Sequence, residues 1–129
     1  MTEHPNAAAA RRSYEAWNSG DLDVIREYFT DDAVLHLAGD NAMSGTYRGR
    51  DGVMDAIARA SQGWGMHSEL EALLASDDHV IAFVRVTSER DGKTLDVVVA
   101  QAVKVNAEGK ATEAWFLPND QGGYDRFFL

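Results

Sequence analysis

The second half of the chain carries four long segments of strand-forming residues that are joined by short turns. The segments are MHSELEALLAS, HVIAFVRVTSER, TLDVVVAQAVKV and KATEAWFL, and the turns between them contain Asp77-Asp78, Asp91-Gly92 and Glu108-Gly109. β-Branched and aromatic residues favour strands, and Asp-Gly pairs favour tight hairpin turns. The pattern therefore predicts an antiparallel meander of four strands.

The residues that precede the meander predict three helices. From Asn6 to Asn18, apolar and aromatic residues recur at spacings of three or four, and Gly20 follows in the usual terminating position. Asp21 is a suitable N-cap for a second, shorter helix over LDVIREYF. Asp51 is expected to cap a third helix over GVMDAIARA that continues to about Gln62.

The segment between the second and third helices predicts a strand and a loop. The apolar run AVLHLA, from Ala33 to Ala38, predicts a short strand. It is followed by GDNAMSGTYRG, whose turn-forming residues predict an irregular loop. At the other end of the chain, residues 119–129 leave two alternatives open, a short helix or a tail.

The order of these elements indicates an α+β fold. Helices followed by a meander are typical of a strongly bent, mostly antiparallel sheet whose concave side is covered by the helices, so that a pocket is enclosed. A chain of 129 residues and 14.1 kDa has the usual size of one domain, and we expect a single domain over residues 1–129.

Charge and composition exclude several classes of function. The formal net charge of −9 repels phosphate backbones and anionic lipids, so neither nucleic-acid nor membrane partners are expected. The chain has no cysteine, which excludes disulfides, thiolate catalysis and cysteine-ligated zinc. The first residues, MTEHPNAAAARRSYEAW, do not match a signal peptide, and a cytoplasmic location is the expectation.

Five local strings resemble bacterial SnoaL-like members of the nuclear-transport-factor-2-like superfamily. They are Tyr14-x-x-Trp17-Asn18-x-Gly20-Asp21, Phe29-Thr30-Asp31-Asp32-Ala33-Val34-Leu35-His36, Gly45-Thr46-Tyr47-Arg48-Gly49-Arg50-Asp51, Arg90-Asp91-Gly92-Lys93-Thr94-Leu95, and Glu113-Ala114-Trp115 followed by Asp120-Gln121. The resemblance covers nearly the whole chain and implies a cone-shaped, pocket-bearing fold that forms a homodimer through its outer sheet face. Because the superfamily includes isomerases, cyclases, dehydratases, hydrolases and non-catalytic modules, it implies a location for the site and no particular reaction.

Comparison with the ketosteroid isomerases of this superfamily argues against their mechanism. They use a carboxylate base on the first strand, and a tyrosine and a protonated aspartic acid as oxyanion donors. When the shared Asp-Asp-Ala and Gly-Lys positions are aligned, Leu37 falls at the base, Ser13 at the tyrosine and Gln101 at the second acid. A leucine cannot accept a proton, whereas Gln101 can still donate a hydrogen bond to a ligand oxygen. Tyr14 lies one residue from the tyrosine position.

His36 and Asp120 are the leading candidates for an acid/base pair. Histidine titrates near neutral pH, and SnoaL-like cyclases carry an acidic residue after the last strand, close to where Asp120 stands. The alternative for His36 is a structural histidine that is hydrogen-bonded within the sheet. The alternative for Asp120 is a turn residue or the cap of a C-terminal helix. If Leu37 points into the pocket, strand alternation directs His36 away from it.

The candidate ligand-binding residues are mostly aromatic. They are Tyr14, Trp17, Leu37, Tyr47, Arg85, Gln101 and Trp115. Tyrosine and tryptophan would supply hydroxyl or indole donors, or pack in the core. A buried Arg85 would require a carboxylate or an anionic ligand, and an edge or dimer-face position is the alternative.

No metal or cofactor is expected. His67, Glu69 and Glu71 alternate along one face of a strand, but this is more typical of a solvated or dimer-facing surface than of a metal site. The first hypothesis for function is cofactor-independent acid/base chemistry, namely cyclisation, isomerisation or dehydration of a small apolar, hydrophobic or aromatic, carbonyl-bearing metabolite. The alternative is a non-catalytic ligand-binding or dimerisation module, which predicts a cavity without a titratable pair.

Overall fold

The computed structural model describes residues 3–61 and 64–129, and within them the chain forms four helices and six strands. The helices are α1 (Pro5–Ser19), α2 (Leu22–Tyr28), α3 (Gly49–Ser61) and α4 (Gln121–Phe127). The strands are β1 (Phe29–Leu37), β2 (Gly45–Arg48), β3 (His67–Ala75), β4 (His79–Arg90), β5 (Lys93–Val105) and β6 (Ala111–Pro118). No helix in these two ranges has both the length and the apolar character needed to cross a bilayer.

The end of α1 and the start of α2 lie where the sequence predicts them, whereas Phe29, predicted as the last helical residue of α2, begins β1. Gly20 has a left-handed φ of 78°, and its amide donates to the carbonyls of the last turn of α1. The Asp21 side chain accepts a hydrogen bond from the Val24 amide at 3.4 Å and so caps α2. The prediction for α3 is wrong in one respect, because the helix begins at Gly49 and Asp51 lies in its first turn. The predicted end of α3 near Gln62 falls outside the described residues.

One mixed sheet contains the six strands in the order β2-β1-β6-β5-β4-β3. Strands β3 to β6 pair with one another in antiparallel fashion, which confirms the predicted meander. β1 adds to β6 in parallel and pairs with β2 in antiparallel fashion. The predicted loop is wrong at Gly45–Arg48, which forms the edge strand β2; its four mostly exposed residues carry no alternating apolar pattern that would reveal a strand.

The buried side chains of the described residues form two groups in the interior. The first core cluster surrounds Leu35, Val53 and Val80, and the second core cluster surrounds Val84 and Phe128. Leu37, Leu73 and Phe116 pack against both clusters and join them. Helices, sheet and interior together confirm the predicted α+β class.

The C-terminal residues are an integral part of the fold. Apolar residues at Tyr124, Phe127 and Phe128 have helical spacing, and both phenylalanines are buried against the second core cluster. The Phe128 carbonyl accepts a hydrogen bond from the Ala42 amide at 3.2 Å. Of the two alternatives for residues 119–129, the structure therefore contains the short helix, α4.

Candidate functional site

A cavity of about 160 Å³ lies between the helices and the inner face of the sheet. Helices α1, α2, α3 and α4 and strands β1 and β3 to β6 all contribute side chains to it. Most of these side chains are apolar. The exceptions with hydroxyl or amide groups are Ser13, Tyr14, Tyr28, Ser68, Gln101 and Tyr124.

Strand β1 turns its leucine face to the cavity and its histidine face away from it. Leu35 and Leu37 line the cavity, and alternation along the strand directs His36 to the outer face of the sheet. There, His36 Nε2 lies 2.7 Å from Glu113 Oε2, and Nδ1 lies 3.2 Å from Thr46 Oγ1. The imidazole also stacks on the Trp115 ring, with centroids 5.4 Å apart. His36 is thus the sheet-bonded histidine of the alternative interpretation.

Asp120 also lies outside the cavity. Its carboxylate accepts a hydrogen bond from the Gly123 amide at 3.0 Å and caps α4, which is the second of the alternatives considered for this residue. His36 and Asp120 are both absent from the residues that line the cavity. The expectation that they form an acid/base pair inside it is corrected, since the fold directs one to the outer sheet face and uses the other at a helix end.

The candidate ligand-binding residues divide into two sets. Tyr14, Trp17, Leu37 and Gln101 line the cavity. Tyr47, Arg85 and Trp115 do not, and each has contacts elsewhere that account for its placement.

The three residues outside the cavity are held by other protein groups. The Tyr47 hydroxyl donates to the Met43 carbonyl at 2.8 Å. Arg85 forms two hydrogen bonds with Asp96, at 2.9 and 2.7 Å, on the exposed outer face of the sheet. Trp115 stacks on His36. Arg85 therefore has the carboxylate partner that an arginine requires, on the surface and not in a pocket.

The three positions that align with the ketosteroid isomerase site all reach the cavity. Ser13, Leu37 and Gln101 line it from α1, β1 and β5. The alignment therefore pointed to residues that line the cavity, although none of the three carries a carboxylate or a phenol.

Two tyrosines that line the cavity have hydroxyls without a hydrogen-bond partner among the described residues. The hydroxyl oxygens of Tyr14 and Tyr28 are buried and unsatisfied. Burial raises the pKa of each to about 12. For Tyr14, the nearby Ser68 hydroxyl lowers the pKa and the charge of Glu69 raises it, although the Tyr14 hydroxyl itself has no hydrogen-bond partner among the described residues. Both phenols stay protonated near neutral pH and can act only as donors or weak acceptors.

The cavity lining contains no charged group among the described residues. None of the lining residues is an Asp, Glu, His, Lys or Arg. Tyr124 also lines the cavity, and burial raises its pKa to about 12. The arrangement can surround an apolar molecule and donate hydrogen bonds to its oxygen atoms. Its described lining side chains include no carboxylate or imidazole, the groups that most often remove a proton near neutral pH.

Sequence reasoning did not select Tyr28 and Ser68 as site residues. A signal existed for Ser68, because it lies between Met66, just before β3, and Leu70 in an alternating pattern with the exposed His67 and Glu69. No comparable signal existed for Tyr28, which lies at the last position of a seven-residue helix with apolar side chains on more than one side.

Known proteins resemble this chain over most of its length. A family model described as a SnoaL-like domain matches residues 10–114. An uncharacterized protein of Mycobacterium tuberculosis is 32% identical over 115 residues, which are 87% of each chain. The structure of Bal32a, from a soil-derived mobile gene cassette, is 31% identical with a TM-score of 0.90 over 96% of both chains. RV0760c of M. tuberculosis, crystallised in complex with estradiol-17beta-hemisuccinate, is 19% identical with a TM-score of 0.74, over 88% of this chain and 93% of that one.

Proposed function

Since the chain belongs to the SnoaL-like domain family, we propose that its cavity binds a small, uncharged, mainly apolar organic molecule that carries oxygen. The observation that carries this proposal is the lining itself, which combines apolar side chains with a few neutral hydrogen-bond donors. A concave apolar site with a small number of placed polar groups is the usual form of a small-molecule site.

The volume of the cavity favours ligands with one ring. Apolar protein cavities of about 150 Å³ bind benzene, whereas drug-sized ligands occupy roughly 300–1,000 Å³. The cavity here, at about 160 Å³, is close to the smaller class. RV0760c, which shares this fold, was crystallised with a steroid derivative, and this supports a ring-containing molecule as the ligand of the cavity proposed here.

The neutral lining provides a direct test of the proposal. We expect acetophenone to bind in isothermal titration calorimetry, and we expect benzoate and protonated benzylamine to bind about a hundredfold more weakly, because an unpaired buried ion costs several kcal/mol. The three probes have similar size, so the comparison isolates charge. Equal affinity for acetophenone and benzoate would contradict the proposal.

Ligand binding is favoured over the acid/base chemistry that the sequence first suggested. Tyr14 or Gln101 would polarise a ligand carbonyl by hydrogen bonding, but cyclisation, isomerisation and dehydration also need a group that accepts a proton. The cavity lining described above has no carboxylate or imidazole to do this. The proposed role is therefore non-catalytic binding.

We also propose that the protein forms a homodimer through the outer face of its sheet. Two apolar rows cross this face from strand to strand: Ala72, Phe83, Ala100 and Leu117 form one, and Leu74, Ile81, Ala102 and Trp115 form the other. Leu74 and Leu117 are 60% and 50% exposed. A contiguous apolar surface of this kind is typical of a protein–protein interface.

A charge placed on this face should separate the dimer. Leu117→Lys is expected to convert a dimer into a monomer in sedimentation velocity experiments, because an unpaired ammonium group would be buried at the interface. Leu129→Lys is the matched control, since Leu129 is 79% exposed at the chain end. A wild-type protein that sediments as a monomer would refute the proposed dimer.

A further inference from the structure

The Tyr14 and Tyr28 hydroxyls are the least satisfied polar groups in the cavity. Each is buried without a protein hydrogen-bond partner among the described residues. A buried hydroxyl that lacks a partner destabilises the fold, and such groups in native proteins generally bind a ligand or an ordered water. Two of them in one small cavity therefore require an explanation.

The two tyrosines come from different helices and pack against different core clusters. Tyr14 is on α1 and packs against the second core cluster, whereas Tyr28 is the last residue of α2 and packs against the first core cluster. Leu37 and Phe116, which pack against both clusters, also line the cavity. A ligand in contact with these joining residues would therefore share the cavity with one tyrosine from each cluster.

We propose that the ligand is an uncharged molecule with two separate acceptor oxygens, such as a cyclic or aryl diketone or a quinone, one accepting from Tyr14 and the other from Tyr28. This inference rests on the proposed function of the cavity. It adds that the ligand is recognised at two points. The neutral lining disfavours a dicarboxylate, which would also supply two acceptors.

Two probes of nearly equal shape test this inference. In para-diacetylbenzene each substituent has a carbonyl oxygen, and in para-diisopropenylbenzene a methylene group replaces that oxygen. Calorimetric titrations would use the wild-type protein, Tyr14→Phe and Tyr28→Phe. Tyr47→Phe is the matched control, because its hydroxyl lies outside the cavity and already donates to Met43.

Tyr14→Phe and Tyr28→Phe are each expected to lower the affinity for the diketone about fivefold and to leave the affinity for the hydrocarbon unchanged. Tyr47→Phe should change neither. If only one tyrosine shows this selectivity, or if both probes lose affinity equally, the two-point inference is overturned and the binding function stands. If neither probe binds, the proposed function fails and this inference fails with it.

The ligand-free variants provide a second, independent readout. Removing an unsatisfied buried hydroxyl relieves a cost, so Tyr14→Phe and Tyr28→Phe should unfold at the same temperature as the wild-type protein or a higher one. A clear decrease in melting temperature for either variant would mean that its hydroxyl already has a partner, such as a buried water, and would overturn the inference.

Discussion

Phe128→Ala is expected to lower the free energy of unfolding by about 3–5 kcal/mol. The Phe128 side chain is fully buried, and its ring lies 4.6 Å from the Trp64 and Tyr124 rings and 5.0 Å from the Phe127 ring, measured between centroids. Truncation would remove these contacts and leave a void that the surrounding rings can fill only partly. Urea denaturation followed by fluorescence and circular dichroism would measure the change.

The neighbouring residue provides the control for this prediction. Leu129 is 79% exposed, and Leu129→Ala should change the free energy of unfolding by less than about 0.5 kcal/mol. If Phe128→Ala is equally neutral, Phe128 does not pack against the second core cluster in the way described above.

Ser13→Trp is expected to reduce the affinity for acetophenone by about a hundredfold or more, because the indole would occupy the space that the ligand needs. Ser13 lies on α1 with its side chain at the cavity, and the cavity volume is about 160 Å³. The substitution would fill the cavity and prevent binding, while the hydrogen-bond donors Tyr14 and Gln101 stay unchanged. Calorimetric titration of the variant measures the effect.

Arg12→Trp introduces the same side chain one residue earlier, on the exposed side of α1. This control variant should bind acetophenone with wild-type affinity. Circular dichroism of Ser13→Trp is needed as well, since inserting a larger side chain typically costs about 1–3 kcal/mol. Wild-type affinity in a folded Ser13→Trp protein would indicate that the ligand binds elsewhere.

The fold was largely predictable from local patterns in the sequence. The β3 to β6 meander follows from long strand-forming segments and Asp-Gly turns, and the end of α1 and the start of α2 follow from Gly20 and Asp21. The edge strand β2 was not predictable in this way, because its four residues gain order mainly by pairing with β1, a contact that local sequence does not specify.

The site was less predictable because β1 is apolar on both faces. Leu35 and Leu37 face the cavity, whereas Val34 and His36 face outwards among Trp115 and other outer-face side chains. Strand alternation divides the residues of β1 between two faces, but it does not say which face points into the interior. Only the alignment of Leu37 with the isomerase base favoured the correct face, and His36 was nevertheless the leading catalytic candidate.

The roles of Asp120 and Tyr28 could not be predicted from local sequence either, because both depend on tertiary packing. Whether Asp120 caps a helix depends on α4 packing against the second core cluster through Phe127 and Phe128. Whether Tyr28 lacks a partner depends on every element that surrounds its hydroxyl. Neither property is encoded by residue type and spacing alone.

Methyl NMR of the wild-type protein during titration with acetophenone tests the central claim, that the interior cavity is the ligand site. Leu37 and Ala82 face the cavity, whereas Ala100 and Leu117 lie on the outer sheet face. We expect saturable shift changes at the methyl groups of Leu37 and Ala82, with those of Ala100 and Leu117 unchanged. Changes confined to the outer-face methyl groups, or no saturable change at any of the four residues, would contradict the claim.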